Sequence, residues 1–596
     1  MPSKNTRSHL SFLKSQLCGH THPVSSPRLV SLTLGRNKAK MGLGILEDRH
    51  LQNVPGTSLF NDDPNAVAMK AYEGLDISKL KHGQGKYAHI VLVPQPSDDP
   101  NDPLNWPQWR KNMAFIVLIY GTVMCGALGV LVNADIVHIA AELGRSVQAV
   151  SRALGSTIAL TVALSIIWWS SVSIKVGKRP VFLFCTSCMF AGAIIAGFAK
   201  NYNMLLGARV LQGIGRASYE FLVGATIGDL YFAHERGVPV AFWTLALISG
   251  MDVAPPITGR IITLLDWRWC FRIYAIACAT LFFLQLFFLP ETTYYRRSSL
   301  KSESQATGVD SDMDDPEKKG DNDTISRIEM HEPETPRSQE SVALPSTKTF
   351  RERLAIFNPD VIAGRDRSSF GYLLVRPFIA WLTPVCFWAC LVYGFALTWL
   401  TVIATSVSQI FSASPYFFSA EGVGLIYMSP FIGAIIAACI CGPLTDYAAR
   451  RMSKVNHGIF EPEFRLVLIG FFALFSCIGF FGWGISAHDK DAWIVPVVFF
   501  GFIAFGTIIG SSAAIGYVVE SHSRARNSAL GGVTVFKNGF SFAMTFFGND
   551  WLASRGILNV FGIIGGITLF TCLLTIPMYI FGKRARSWIH RKVNLD

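Results

Sequence analysis

The stretch SSVSIKVGKRP, Ser170 to Pro180, follows the second long apolar run of the chain, and GPLTDYAARR, Gly442 to Arg451, follows the second apolar run of a later group. Each is a tight, basic turn holding a Gly, so the question they raise is whether the chain is a duplicated bundle. The runs around them answer it. Stretches of about 20 apolar residues, the length that crosses ~30 Å of hydrocarbon, fall near 112–134, 153–173, 180–199, 203–228, 239–262 and 270–289, and again near 377–406, 421–443, 465–487, 492–519, 528–547 and 556–581. The expected fold is an all-α membrane protein with twelve transmembrane helices in two six-helix halves.

Composition supports this reading. Of 596 residues, 51% are hydrophobic and 16% charged, against about 25% charged in soluble domains, and the mean hydropathy is +0.36. The chain divides into a polar segment 1–111, a first half 112–289, a linker 290–376, a second half 377–581 and a short tail 582–596. The linker is rich in Ser, Asp, Glu and Lys and has too little apolar content to bury a core, so disorder is expected there. The net charge of +12 would suggest nucleic acid in a soluble protein, but here the basic residues cluster between apolar runs and report topology instead. Arg450, Arg451, Lys454, Arg465, Arg524, Arg526 and the tail cations lie on one side of the second half, whereas Lys490 and Arg555 lie on the other. The basic side is cytoplasmic, and an even span count places both termini and the linker there, with a plasma-membrane address.

The two turns resemble the loop of the major facilitator superfamily, which runs Gly, three residues, Asp, Arg, any residue, Gly, Arg or Lys, Arg. The first turn keeps Lys175, Gly177, Lys178 and Arg179 but has Ser170 for the Gly and Ile174 for the Asp; the second keeps Gly442, Asp446 and Arg450. Arg209-Val-Leu-Gln212-Gly213-Ile-Gly215 is similar to another pattern of this superfamily, and Gly250, Pro255 and Gly259 match an antiporter pattern in which Ala254 replaces a central Gly. PQPSDDPNDPLNWPQW from Pro94, LPETTY from Leu289 and GIFEPEFRL from Gly458 look like fungal drug/proton antiporters, in the branch that includes polyamine and secondary-metabolite carriers. The resemblance implies alternating access around a site between the halves, as internal repeats in transporters arrange it.

An ionisable residue inside a span costs about 2.5–3.5 kcal/mol on insertion scales and usually faces the bundle interior. Arg209 and Glu220 are 11 residues apart, roughly three turns plus 20°, so they share a helix face and one pathway with Gln212. A desolvated carboxylate at Glu220 has the character that proton coupling needs. Asp252 is read either as a ligand for a substrate cation or proton or as a lining residue near Pro255. Lys537 and Asn538 supply the cationic site of span eleven. Gating is expected from Lys175, Gly177, Lys178, Arg179, Gly250, Pro255, Gly259, Gly442, Asp446 and Arg450, with Asp229 pairing Lys175 or Arg179 at the inner gate and Glu520 closing span ten.

The sequence has no phosphate-binding Gly-x-x-x-x-Gly-Lys-Ser/Thr loop, which argues against an ATP-driven pump, and no constellation suited to an enzyme, a metal or another cofactor. The 12 Cys are expected reduced and structural. The reading is a monomeric secondary transporter with partners limited to a small-molecule substrate, protons and the bilayer. It exports an amphipathic drug or secondary metabolite in exchange for protons; the alternatives are a carrier of small organic cations such as polyamines and, more remotely, a non-transporting sensor. Residues 1–40 are basic and contain no acidic residue, whereas Met41 opens a stretch resembling the usual start of this branch, so 1–40 are expected to add nothing to the core. The acceptor sequence Asn322 to Thr324 should be unmodified in a cytoplasmic linker.

Overall fold

The computed structural model describes residues 42–48, 54, 56–59, 81, 92 and 94–592, except 233–234, 295–347, 358–367, 457–458 and 523–524. The leader 1–40, the glycosylation acceptor, Arg524 and most of the linker therefore lie outside the described residues. The chain divides into 1–40 and 41–596, and all the described residues belong to the second unit.

Twelve long helices carry this unit among the described residues: α1 Gln108–Val130, α2 Thr157–Val176, α3 Lys178–Gly197, α4 Tyr202–Leu230, α5 Gly237–Leu264, α6 Trp267–Phe288, α7 Pro384–Ser412, α8 Met428–Val455, α9 Ile469–Asp489, α10 Ile494–Ser521, α11 Arg526–Arg555 and α12 Ile557–Leu573, continued after Leu574 by Thr575–Lys592. Among the described residues, ten helices are apolar and long enough to cross a bilayer; α4 and α11 are not among them. The exceptions decide the interior, because α4 carries Arg209, Arg216, Glu220 and Asp229, and α11 carries Arg526 and Lys537. Such helices are stable in lipid only when their charges face other helices.

Local chemistry sets the boundaries. The Asn201 side chain accepts from the Met204 amide at 2.8 Å and starts α4. Gly177, at φ +105°, ends α2 and turns directly into α3, a backbone conformation that only Gly adopts freely. The run read as one span at 377–406 is two helices: Phe370–Trp381 stops before Thr383, whose hydroxyl caps α7 with Pro384 in its first turn, the position where a missing N–H costs nothing. Close approach is set by small residues. A Cβ on Gly126 of α1 would stand 2.2 Å from the Leu247 carbonyl, and one on Gly250 of α5 would stand 2.2 Å from the Val123 carbonyl, so the two helices cross backbone to backbone.

One face of the bundle, here the linker face, carries the ends of α6 and α12 and the start of Phe370–Trp381. There an N-terminal strap grips the second half. Ser58–Leu59 (β1) pairs antiparallel with Ile459–Phe460 (β2), Ile45 is buried against Phe460 and Phe464, the Leu46 amide donates to the Ile580 carbonyl at 3.0 Å, and Lys583 bridges Glu47 at 2.7 Å and Glu461 at 2.8 Å. Arg586 binds Glu461 at 2.7 Å and Glu463 at 2.8 Å. Burial pushes the Glu461 carboxyl up, but Arg586 and Lys583 outweigh it and hold it below the ordinary carboxylate range. The acidic residues of GIFEPEFRL thus serve as partners of the C-terminal helix.

A chain beginning at Met41 should unfold in detergent at the same temperature as the full chain. Deleting residues 42–59 as well should cost stability, about 1.5–3 kcal/mol from the burial of Ile45 alone, read as a lower midpoint in thermal unfolding followed by intrinsic fluorescence.

Candidate transport pathway

A cavity of about 700 Å³, its open mouth included, lies between the halves. It is lined by Asn133 beyond α1, Gly155 and Ile158 at the start of α2, Arg216 of α4, Leu247 and Met251 of α5, Thr398 and Thr401 of α7, and Lys537, Asn538, Ser541 and Thr545 of α11. By their positions along these helices, the lining residues run from the middle of the bundle toward the face opposite the linker.

The cavity floor is a four-residue cluster spanning the two halves. Glu220 is completely buried; its Oε1 accepts from Arg216 Nε at 2.8 Å, and its Oε2 accepts from Lys537 Nζ at 2.5 Å and Asn538 Nδ2 at 2.6 Å. Three donors on two oxygens compensate a carboxylate that hydrocarbon would otherwise exclude, since a buried charge is tolerated only when paired and hydrogen-bonded. Glu220, Lys537 and Asn538, predicted separately, are brought together. Arg216 was not singled out from the sequence, although its spacing of four residues before Glu220 on one helix is the signal that would have found it.

Arg209 and Gln212 sit apart from this cluster. Arg209 Nη1 donates to the Leu128 carbonyl at 3.1 Å and to Gln212 Oε1 at 3.2 Å, and its guanidinium lies 4.8 Å from the Phe271 ring centroid. It therefore ties α4 to α1 and α6 through neutral groups. Asp252 is 2% exposed and its Oδ2 has no hydrogen-bond partner among the described residues. It neighbours the lining Met251 in sequence but does not itself line the cavity.

The linker face is closed by a layer of polar contacts across the halves. Asp229 pairs with Lys178 and, at 3.3 Å, with Arg526. This corrects the expected pairing with Lys175 or Arg179. Lys175, in the last turn of α2, donates to the Ser368 carbonyl at 2.6 Å, and Arg179 donates to the Leu286 and Arg353 carbonyls at 2.8 and 3.2 Å; the turn at Gly177 leaves Lys178 as the one that meets α4. Glu291 of LPETTY, a residue whose role the sequence did not reveal, accepts from the Lys178 and Arg179 amides at 3.1 and 3.0 Å and caps α3. Negative charge is favoured at a helix N-terminus. The same logic explains Asp446: a Cβ on Gly237, the first residue of α5, would stand 2.3 Å from its Oδ1. Gly442 packs against Val238, and Arg450 Nε donates to the Asp446 carbonyl at 3.1 Å. The second of the two expected turns is helical throughout, lying inside α8, and the first is helical up to Val176, with the chain turning only at Gly177; near the end of α2, where Ile174 replaces the acid, Ser170 and Ser173 meet Asn527 of α11 at 3.4 and 3.3 Å. Glu520 is held by Arg465 at 2.6 and 2.9 Å. Further along α5, the Pro255 carbonyl and Gly259 abut Gly424 and Ala420, so the antiporter-like segment touches both α1 and the second half.

Ties on the opposite face include ion pairs of a different kind. The ion pairs there, Arg260 with Glu421 at 3.2 Å and Arg152 with Asp550 at 3.7 Å, are solvent-accessible and contribute only ~0–1 kcal/mol each, beside a Ser156 to Thr545 hydroxyl contact at 3.1 Å and Arg152 on the Phe546 carbonyl at 3.4 Å. On the linker face the half-buried Asp229 to Arg526 contact joins α4 to α11 across the halves, and Lys178 holds Asp229 from within the first half.

Residues 116–544 match the family model described as Major Facilitator Superfamily. The chain belongs to the major facilitator superfamily. A member of this superfamily is a membrane transporter and not an enzyme, and fungal transporters are among the chain's relatives. It is 26% identical over 556 residues to an uncharacterized MFS-type transporter of Schizosaccharomyces pombe, covering 91% of this chain and 94% of that one. It is 23% identical to the MFS antiporter QDR3 of Candida albicans, covering 83% and 80%. The solved proton:xylose symporter XylE shares the fold at a TM-score of 0.54 and 13% identity, covering 80% of this chain and 97% of that one. In this superfamily member the two helices too polar to count as spans are the two that meet at the cavity floor.

Glu220→Gln should destabilise the purified protein by about 3–5 kcal/mol, because two cations lose their buried partner. Adding Lys537→Met should recover part of that loss. The check is a double-mutant cycle on thermal unfolding; additivity within ~0.5 kcal/mol would mean that the two side chains do not interact.

Proposed function

We propose that this transporter exports an amphipathic small molecule across the plasma membrane by alternating access, in exchange for protons, with both termini and the linker in the cytoplasm. The observation that carries the reading is the Glu220 to Lys537 ion pair, a charge contact between the halves at the floor of a cavity between them. Alternating access needs two packings of similar free energy whose balance a ligand shifts. A proton on Glu220 cancels the attraction that holds Lys537 and Arg216, so proton occupancy and the separation of the halves are linked through one carboxylate. Asp229, with Lys178 and Arg526, is the inner gate in this reading, and Asp446, on the cytoplasmic half of α8, sets how that helix meets the start of α5. Arg209 and Gln212 position α4, while Asp252 and Asn538 belong to the polar route. The basic residues of the linker face support its cytoplasmic orientation. The names of two relatives, the antiporter of Candida albicans and a probable efflux pump of Aspergillus flavus, favour export.

In proteoliposomes holding the full chain, Glu220→Gln should abolish transport driven by an imposed pH gradient while substrate equilibration without a gradient persists; gradient-driven flux at the wild-type rate would overturn the coupling role. Asp229→Asn should open the linker face. A cysteine introduced at Ser173 should react with a membrane-impermeant maleimide faster in that background, and an unchanged labelling rate would remove Asp229 from the gate.

A further inference from the structure

The charge presented to the cavity is unbalanced. Among its lining residues, the ionisable ones are Arg216 and Lys537, both cationic. The acid that touches them, Glu220, does not line the cavity; it lies behind them, 0% exposed, with both oxygens occupied by donors. Two cations against one anion leave a surplus of one positive charge at the floor. Arg209, on the same helix, is a further cation held by neutral groups among the described residues and offsets none of it. Asp252 is buried outside the lining. The remaining polar lining is Asn, Thr and Ser, and the wall across from it is aliphatic, with Ile158, Leu247 and Met251.

A surplus charge in a partly dry cavity is costly unless a ligand neutralises it. A cationic substrate would meet two like charges and could reach Glu220 only by displacing both. An anionic group meets an ammonium and a guanidinium already held in place, with hydroxyl and amide donors beside them, and charge-assisted contacts of this kind are the strong ones. We infer that the cavity takes an amphipathic organic anion, its anionic group against Arg216 and Lys537 and its apolar body against the aliphatic wall. The inference rests on the reading that this cavity is the transport site, and it narrows that site's substrate to one chemical class.

The test uses three probes with one aromatic body: naphthylacetate, naphthylacetamide and naphthylethylamine, which are anionic, neutral and cationic at neutral pH. Equilibrium dialysis against the purified full chain in detergent measures binding without any gradient. The acid should bind saturably and about tenfold or more tighter than the amide, the amine should not compete with it, and Lys537→Met should bring the acid down to the affinity of the amide while Lys537→Arg restores the preference. Equal binding of acid and amide, preferential binding of the amine, or no saturable binding by any probe would overturn the inference, and the wild-type comparison decides this even where a variant fails to fold. A failure of proton coupling looks different: the acid still binds, but a pH gradient does not move it.

Discussion

A carboxylate in the middle of a bilayer must be compensated inside the protein, and Glu220 is compensated by both halves of the molecule. Arg216 comes from its own helix, whereas Lys537 and Asn538 come from α11 in the other half. The arrangement explains why the two most polar spans lie against each other and why the halves are held in register at mid-depth. It also explains why small residues border the same region: Gly224 of α4 abuts Leu530 of α11, and Gly531 abuts Ser170 of α2. Helices carrying charges to the axis must come close enough for 2.5–2.8 Å contacts, and larger side chains along those seams would keep them apart.

The layers above and below this cluster differ in kind. The linker face is closed by half-buried charge, helix-end contacts and serine hydroxyls, and the opposite face by two exposed ion pairs, a Ser156 to Thr545 hydroxyl contact and the backbone packing of Pro255 and Gly259 on Gly424 and Ala420. The cavity extends from the middle of the bundle toward the face opposite the linker. The N-terminal strap adds a second level of organisation on the linker face: it precedes the first half in the chain but packs on the second.

Much of this was legible in the sequence, for identifiable reasons. All twelve spans were read from apolar runs, although α4 and α11 carry enough charge to fall outside the ten helices that are apolar enough to cross a bilayer among the described residues. Glu220, Lys537 and Asn538 stood out because charge in a span is expensive. Their meeting did not, since side chains 317 and 318 residues apart leave no local pattern. Arg216 was hidden by the attention its neighbour Arg209 drew through a family pattern. The partner of Asp229 was misread because three cations crowd the turn at 175–179, and only the backbone geometry at Gly177 decides which of them faces α4. Glu291 was invisible for a different reason: capping a helix that starts more than a hundred residues earlier requires the return of the chain at the end of α6.

The dependence of α11 on α4 also bears on how the chain is made. Ribosomal synthesis delivers α4 to the membrane while α11 is still unmade, and at that stage Glu220 has Arg216 beside it on the same helix, so the first half can wait in lipid as a nearly neutral unit. Lys537 has no such companion on α11, the nearest cation being Arg526 and the nearest acid Asp550. When α11 emerges it is too polar to settle alone, and it gains a stable place only by docking on a first half that is already present. Biogenesis of the second half is in this sense templated by the first.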